Sequence, residues 1–222
     1  MRASLHGGSA LSTNVRSRLR VAAIRIAALA VLGLLAVPGG AFASSSILAS
    51  CPTQTVSTPF SQWGDTNDYY LAPGGSFEGT ADQVGWTLAG ATLTSGNEPF
   101  LVNNPGDTQS LTIPGGGSAT SPYFCVDNTM ASLRFFAQEA AAGGDLQVQA
   151  LVQTASGVDT VSLADLADGS MPSWAPTQPI VGDTSGLADG QKIMVALQFS
   201  VTGGSTASWQ IDDVYVDPYR SG

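Results

Sequence analysis

Apolar and polar residues alternate along much of this chain with the period of two that is typical of β-strands. The clearest examples are the segments 146–153 (LQVQALVQ) and 193–201 (IMVALQFSV). Such alternation predicts strands of an antiparallel sheet that bury one face and expose the other. Shorter patterns of the same kind predict further strands at 69–71, 85–93, 108–113, 132–138 and 158–163.

Glycine- and proline-rich turns separate these segments, for example at 73–75, 104–107 and 114–117. Short strands that are regularly divided by such turns predict an all-β fold, an antiparallel two-sheet β-sandwich of about 8–10 strands. The segment 138–142 (QEAAA) has a helical composition but covers only one turn before two glycines, so we expect a loop there.

The closing strand, predicted within Ser208–Tyr219 (SWQIDDVYVDPY), carries two adjacent carboxylates in an apolar run. Strict alternation places Asp213 on the side of Ile211 and Asp212 on the opposite side. At least one carboxylate therefore points towards packed side chains, where an unpaired charge is costly. We expect a cation or a set of buried donors to compensate it.

The amino terminus has the pattern of an export signal, with five arginines before the apolar run 26–37 and a small-x-small site at Ala41–Ala43. We therefore predict a signal peptide at 1–43, a linker at 44–50, a single domain at 51–219 and a tail at 220–222. The predicted location is extracellular. A retained single-helix anchor is the alternative for the amino-terminal segment.

The chain has two cysteines, Cys51 and Cys125. An exported protein is expected to pair them in a disulfide. The sequence Leu48-Ala-Ser-Cys51 also fits a lipoprotein box, which predicts the alternative of a protein that is lipid-anchored through Cys51.

Charge and histidine content exclude several kinds of function. After residue 43 the chain keeps three of its eight basic residues and all seventeen acids, a net charge of 3 − 17 = −14. Nucleic acid and anionic membranes are therefore unsuitable partners, whereas neutral ligands and divalent cations remain suitable. The one histidine, His6, lies in the predicted signal peptide, so the domain has no histidine for a Ser/His or Cys/His catalytic arrangement.

Three short motifs carry a family resemblance: Gly75-Ser-Phe-Glu78, Gly85-Trp86 and Trp209–Val214 (WQIDDV). Together they resemble the jelly-roll carbohydrate-binding modules of the galactose-binding-domain-like group. The resemblance implies that the first and last strands are neighbours with a structural calcium between them. Its ligands would include Glu78 and one of Asp212 or Asp213, since calcium prefers oxygen ligands. The alternative is that these acids cap turns or face solvent.

Carbohydrate sites combine an exposed aromatic ring with amides and carboxylates. Two sets of residues have this composition. The strand set comprises Arg134, Phe136 and Gln138 on one predicted strand and Gln147 and Gln149 on the next; the loop set comprises Trp63, Tyr123 and Trp174. The alternatives are that Phe136 fills a second core layer beside Arg134, that the glutamines are simply solvated, and that the loop tryptophans cover the ends of the sandwich. We expect Trp86 and Trp209 in the core.

These observations predict a secreted, non-catalytic domain that binds an extracellular or cell-envelope glycan. One alternative is an envelope structural or protein-interaction domain on the same scaffold without affinity for sugar. The other is a glycan hydrolase, which needs two opposed carboxylates. The three glutamates, Glu78, Glu98 and Glu139, stand in no recognisable catalytic motif.

Overall fold

The computed structural model describes residues 51–127, 132–183 and 186–217. The predicted signal peptide, linker and tail lie outside these ranges. The described strands are β1 Tyr70–Leu71, β2 Thr87–Ala89, β3 Thr92–Ser95, β4 Gln109–Pro114, β5 Ser118–Thr120, β6 Phe124–Asp127, β7 Ser132–Ala141, β8 Leu146–Thr154, β9 Gly157–Leu166, β10 Ala175–Pro176, β11 Ile180–Val181, β12 Lys192–Val201 and β13 Ser208–Asp217. A 3-10 helix at Ser61–Trp63 and one helical turn, α1 Ala81–Val84, complete the described elements.

The strands form two antiparallel sheets. The first sheet has the order β10-β7-β13-β4-β3, with β1 also paired to β13 and β11 to β7. The second sheet has the order β2-β5-β12-β8-β9, with β6 also paired to β12. The prediction of an all-β, two-sheet sandwich of the jelly-roll type is confirmed.

Two segments differ from the strand predictions. The segment 85–93 is not one strand, because Gly90 (φ 76°) breaks it into β2 and β3, which join different sheets. Strand β7 continues to Ala141 through the segment where a loop was predicted. Its ladder with β13 pairs Gln138 with Gln210 and Ala141 with Ser208, and this pairing overrides the helical preference of the alanines.

The core lies between the inner faces of the two sheets. Its largest fully buried side chains include Trp209, Phe135 and Phe199. Trp86 and Trp209 both belong to this core, as predicted, and each satisfies its indole N–H by donating to a backbone carbonyl. Trp86 donates to Pro73 (2.9 Å) and Trp209 to Gly144 (2.7 Å).

A disulfide joins Cys51 to Cys125, with a Cα–Cα distance of 5.3 Å. The disulfide prediction is confirmed, and it ties the start of the described chain to β6. The disulfide also argues against the alternative of a lipid anchor through Cys51, because the sulfur that would carry the lipid is bonded to Cys125. In the ranges that the structure describes, no helix has the length and apolar character needed to cross a membrane.

Candidate functional site

Strand β13 contains a β-bulge at its two aspartates. Its register with β7 shifts between Asp212 and Tyr215, and Asp213 has a left-handed backbone (φ 45°). The extra residue breaks the alternation, so Ile211 and Val214 both face the core. The prediction that the aspartates lie on opposite sides of a regular strand is therefore wrong. Both side chains are buried, with 0% of Asp212 and 1% of Asp213 exposed.

The two buried carboxylates have different surroundings. Asp212 accepts hydrogen bonds from the backbone N–H groups of Glu98 (3.1 Å) and Asp213 (2.9 Å). Neither carboxylate oxygen of Asp213 has a hydrogen-bond partner of acceptable geometry. Asp213 is therefore the buried carboxylate whose negative charge, when it is ionised, is not offset by hydrogen bonds.

Burial and the neighbouring acids raise the pKa of both aspartates. For Asp212, burial and the charge of Asp213 raise the pKa to about 9. For Asp213, burial and the charges of Glu98, Asp107 and, more weakly, Glu78 raise the pKa to about 8, although the backbone N–H of Asn103 opposes this rise. We call Glu78, Glu98, Asp107, Asp212 and Asp213 the acidic cluster.

Glu98 organises the loop between β3 and β4. Its carboxylate accepts hydrogen bonds from the backbone N–H groups of Phe100 (2.5 Å) and Val102 (2.9 Å), and burial raises its pKa. Between these two residues, Leu101 has a left-handed backbone (φ 53°). The loop therefore wraps around a buried glutamate.

The opening segment lies directly beside β13, as the family resemblance implies. The Ala72 N–H donates to the Val214 carbonyl (2.8 Å), and the Val214 N–H donates to the Gly75 carbonyl (3.0 Å). Glu78 follows and accepts the N–H groups of Thr108 (2.7 Å) and Gln109 (2.6 Å) through one oxygen. Its other oxygen has one weak contact, 3.4 Å from the Thr108 hydroxyl.

The acidic cluster contains carboxylate oxygens of the kind that calcium prefers. Phe77, Leu101 and Asp213 are the non-glycine residues of the described chain with left-handed backbones, and all three belong to this region. The unpartnered oxygens of Asp213 and the weakly bonded oxygen of Glu78 are hard oxygen donors of the kind that calcium prefers. Among the described residues, however, no three His, Cys, Asp or Glu side chains form a ready ligand set. Backbone carbonyls would have to complete the coordination.

A second group of functional candidates lies on the outer face of the first sheet, where residues of the segment 57–69 pack against β7 and β13. Phe60, Tyr69, Phe136 and Tyr215 form a small buried aromatic cluster there, and Trp63 and Trp174 pack against it while remaining half-buried. Phe136 is 0% exposed, which leaves no ring face for a ligand. The alternative of a second core layer therefore describes its environment.

Arg134 is fixed in place beneath this aromatic cluster. Its Nη1 donates to Asp65 at 2.6 Å, its Nε donates to the Thr177 carbonyl at 2.8 Å, and the guanidinium carbon lies 4.1 Å from the centre of the Phe60 ring. The Tyr69 hydroxyl donates to the same oxygen of Asp65 (2.7 Å). These contacts hold the Arg134 guanidinium beside Asp65, so that its charge and its hydrogen bond position that carboxylate.

Asp65 remains ionised at neutral pH. Burial alone would raise its pKa, but hydrogen bonds from Tyr69, the Asn67 backbone and Arg134, together with the charge of Arg134, lower it overall. Beside this ion pair opens a shallow pocket of about 610 Å³. The residues that line it include Trp63, Asp65, Asn67 and Gln178.

The structure brings only part of the predicted ligand-binding set together. Trp63, Arg134, Phe136, Gln138 and Trp174 share the outer face of the first sheet. Strand β8, which carries Gln147 and Gln149, belongs to the second sheet, and Tyr123 lies between β5 and β6 of that sheet.

Sequence reasoning missed three polar residues of the pocket: Asp65, Asn67 and Gln178. The segment Trp63-Gly-Asp-Thr-Asn67 places an aromatic residue, a carboxylate and an amide within one loop, and this composition was the available signal. Gln178 has no comparable signal, because the pairing of β10 with β7 brings it to the pocket.

No family model matches this chain, and no curated protein matches it. Solved structures with a similar fold include the CBM22-1 xylan-binding domain of Xyn10C from Paenibacillus barcinonensis (15% identity, TM-score 0.42, 64% of this chain and 90% of that one). Others are Family 16 Carbohydrate Binding Module-2 (14%, 0.39, 64% and 95%) and TmCBM61, solved with β-1,4-galactotriose (13%, 0.33, 74% and 98%). All three are carbohydrate-binding modules, the group that the sequence motifs resemble. At such identities the likeness concerns the fold alone.

Proposed function

We propose that residues 51–219 form an exported, non-catalytic domain that binds an extracellular or cell-envelope glycan through the pocket at Trp63. The observation that supports this most strongly is the combination of one half-exposed indole ring with an ionised carboxylate and two side-chain amides in a single shallow pocket. Apolar faces of sugar rings stack on aromatic rings, and sugar hydroxyls need both donors and acceptors.

The ion pair gives this pocket a fixed acceptor. Asp65 is held by Arg134 and Tyr69, so its carboxylate does not have to be ordered when a ligand arrives. Asn67 and Gln178 are exposed and add amide donors and acceptors. The pocket therefore matches a neutral, hydroxyl-rich ligand better than an anion, since the guanidinium is already neutralised.

The same geometry favours binding over hydrolysis. Glycoside hydrolysis requires two carboxyl groups on opposite sides of the scissile bond, one of them protonated. Asp65 is the one carboxylate among the described residues that line the pocket, and its lowered pKa keeps it ionised. It lacks both a partner acid and the proton that a general acid would donate.

A panel of immobilised polysaccharides tests the proposal. The structural neighbours include a xylan-binding domain and a module solved with β-1,4-galactotriose, so xylan and β-1,4-galactan are the first candidates, followed by β-glucans and cell-envelope preparations. We expect the domain to be retained on at least one of them. Trp63→Ala should abolish retention, whereas Tyr123→Ala, which removes a half-buried aromatic ring beside the second sheet, should preserve it.

Two results would contradict this function. Retention on no polysaccharide, with recovery of a protein from the envelope preparation, would favour the alternative of a protein-interaction domain. Loss of retention in Tyr123→Ala but not in Trp63→Ala would place the binding site elsewhere.

We also propose that the acidic cluster binds one structural calcium ion, with Asp213 and Glu78 as its carboxylate ligands. The unpartnered oxygens of Asp213 support this assignment. Asp212 is the less suitable ligand, because two backbone N–H groups already occupy its oxygens. A bound cation would offset the cost of burying Asp213 as an anion and would stabilise the junction of the opening segment with β13.

A further inference from the structure

A chain of neutral polar side chains crosses the outer face of the first sheet beyond the aromatic cluster. Gln138 on β7 donates through Nε2 to Oε1 of Gln210 on β13. Gln210 in turn donates to the Thr112 hydroxyl on β4 (3.3 Å), and the Thr94 hydroxyl on β3 donates to the same oxygen (2.8 Å). We call these four residues the polar strip.

These hydrogen bonds fix the direction of both amides. Each glutamine uses one N–H within the strip, so a second N–H and acceptor capacity on its oxygen remain for a ligand. Thr112 accepts two hydrogen bonds and keeps its own O–H as a donor. All four side chains are half-buried, so the strip offers solvent an ordered set of donors and acceptors.

The strip is continuous with the aromatic residues of the proposed site. The antiparallel pairing of Ala175 with Ala137 places Trp174 beside Gln138, at the edge of the sheet. From β10 to β3 the row crosses four strand spacings, roughly 19 Å at about 4.8 Å per spacing. Along β7, Gln138 lies four residues from Arg134, roughly 13 Å at about 3.3 Å per residue. A surface of these dimensions exceeds a monosaccharide.

We propose that the polar strip, with Trp174 at its end, is a second contact region of the glycan site and that the ligand is the interior of an uncharged, linear polysaccharide chain. This inference rests on the proposed function and specifies its substrate class. The strip contains no charged side chain, and the chain after residue 43 has a net charge of −14. Both features disfavour polyanions such as polyuronates, because the strip offers no cation to pair with their carboxylates.

Matched variants and a length series test the inference. The strip variant is Gln210→Ala. Its control is Gln198→Ala, because Gln198 is also a half-buried glutamine that donates to a threonine hydroxyl, Thr120 at 3.0 Å, but lies on the second sheet. The probes are neutral oligosaccharides from monosaccharide to hexasaccharide, taken from the polysaccharide that retains the domain, with polygalacturonate as the charged counterpart. Binding is measured by isothermal titration calorimetry and folding by thermal unfolding.

We expect the affinity to rise with chain length beyond the disaccharide, and polygalacturonate not to bind. Gln210→Ala should weaken hexasaccharide binding by about 3- to 10-fold, the effect of losing one or two hydrogen bonds, while Gln198→Ala leaves it unchanged. Equal affinities for the two variants, an affinity that is already maximal for a monosaccharide, or tight binding of polygalacturonate would each overturn the inference while leaving glycan binding intact. Failure to bind every neutral polysaccharide would instead overturn the proposed function and this inference together.

Discussion

Replacing Asp213 by asparagine should stabilise the calcium-free protein at pH 8 and remove its response to calcium. Without a cation, burial and the charges of Glu98, Asp107 and Glu78 raise the pKa of Asp213 from 3.8 to about 8. At ~1.36 kcal/mol for each pKa unit, this difference corresponds to a cost on the order of 5 kcal/mol for keeping the carboxylate ionised. Asparagine is neutral and avoids this cost.

The pH dependence follows from the direction of the change. Because the folded-state pKa is raised, the contribution of Asp213 to stability is fully present below 3.8 and is lost as the pH rises through about 8. Asp212, whose pKa burial and the charge of Asp213 raise to about 9, acts in the same direction. The calcium-free protein should therefore become less stable from pH 4 to pH 8, and calcium should reverse most of this loss.

Thermal unfolding in chelator and in excess calcium measures both effects. For a domain of this size, about 5 kcal/mol corresponds to roughly 10 °C or more in the melting temperature. In chelator at pH 8 we expect the melting temperature of Asp213→Asn to be higher than that of the wild type. Calcium should raise the melting temperature of the wild type but not that of Asp213→Asn. Asp159→Asn, an exposed acid on β9, is the control and should respond to calcium as the wild type does. An equal calcium response in Asp213→Asn and the wild type would refute the assignment of this carboxylate as a ligand.

Three further perturbations test other parts of the structure. Reduction of the Cys51–Cys125 disulfide, which closes a separation of 74 residues, should lower the free energy of unfolding by roughly 4 kcal/mol in urea titrations, and an unchanged midpoint would argue against the bond. Gly75→Val should lower both the thermal stability and the calcium affinity, because even a Cβ at this position would lie 2.9 Å from the Val214 carbonyl oxygen. A variant with wild-type calcium affinity would contradict the link between the opening segment and β13. Arg134→Met leaves Asp65 without its cation, so it should lower the free energy of unfolding by about 3 kcal/mol in denaturant titrations and should also weaken glycan binding. Unaltered glycan binding would show that Asp65 does not contribute to the site.

The sequence predicted the regular strands well because their patterns are local. Strands β8 and β12 pack one face in the core, and their alternating residues indicated this directly. The bulge in β13 could not be found in this way, because it depends on how the strand pairs with β7 and with the opening segment. Alternation alone therefore assigned Asp213 to the face of Ile211, although a carboxylate pair in an apolar run did indicate an unusual environment.

The acidic cluster was partly predictable and the pocket less so. Glu78 and the aspartate pair were found through the motifs, whereas the role of Glu98 depends on a loop that folds around its carboxylate. The pocket gathers residues from 63–67, 134 and 178, and it exists only because the two-residue strand β10 pairs with β7. Strands as short as β10 and β11 have no periodic signal, so long-range pairing determines them.

The most direct test of the central claim is a map of ligand-induced changes in the NMR signals of the ¹⁵N-labelled domain, titrated with the oligosaccharide that binds most tightly. If the outer face of the first sheet binds the glycan, the Trp63 indole N–H and the side-chain amides of Gln138 and Gln210 will shift, while those of Gln149 and Gln198 on the second sheet will not. Shifts confined to Gln149 and Gln198 would contradict the account.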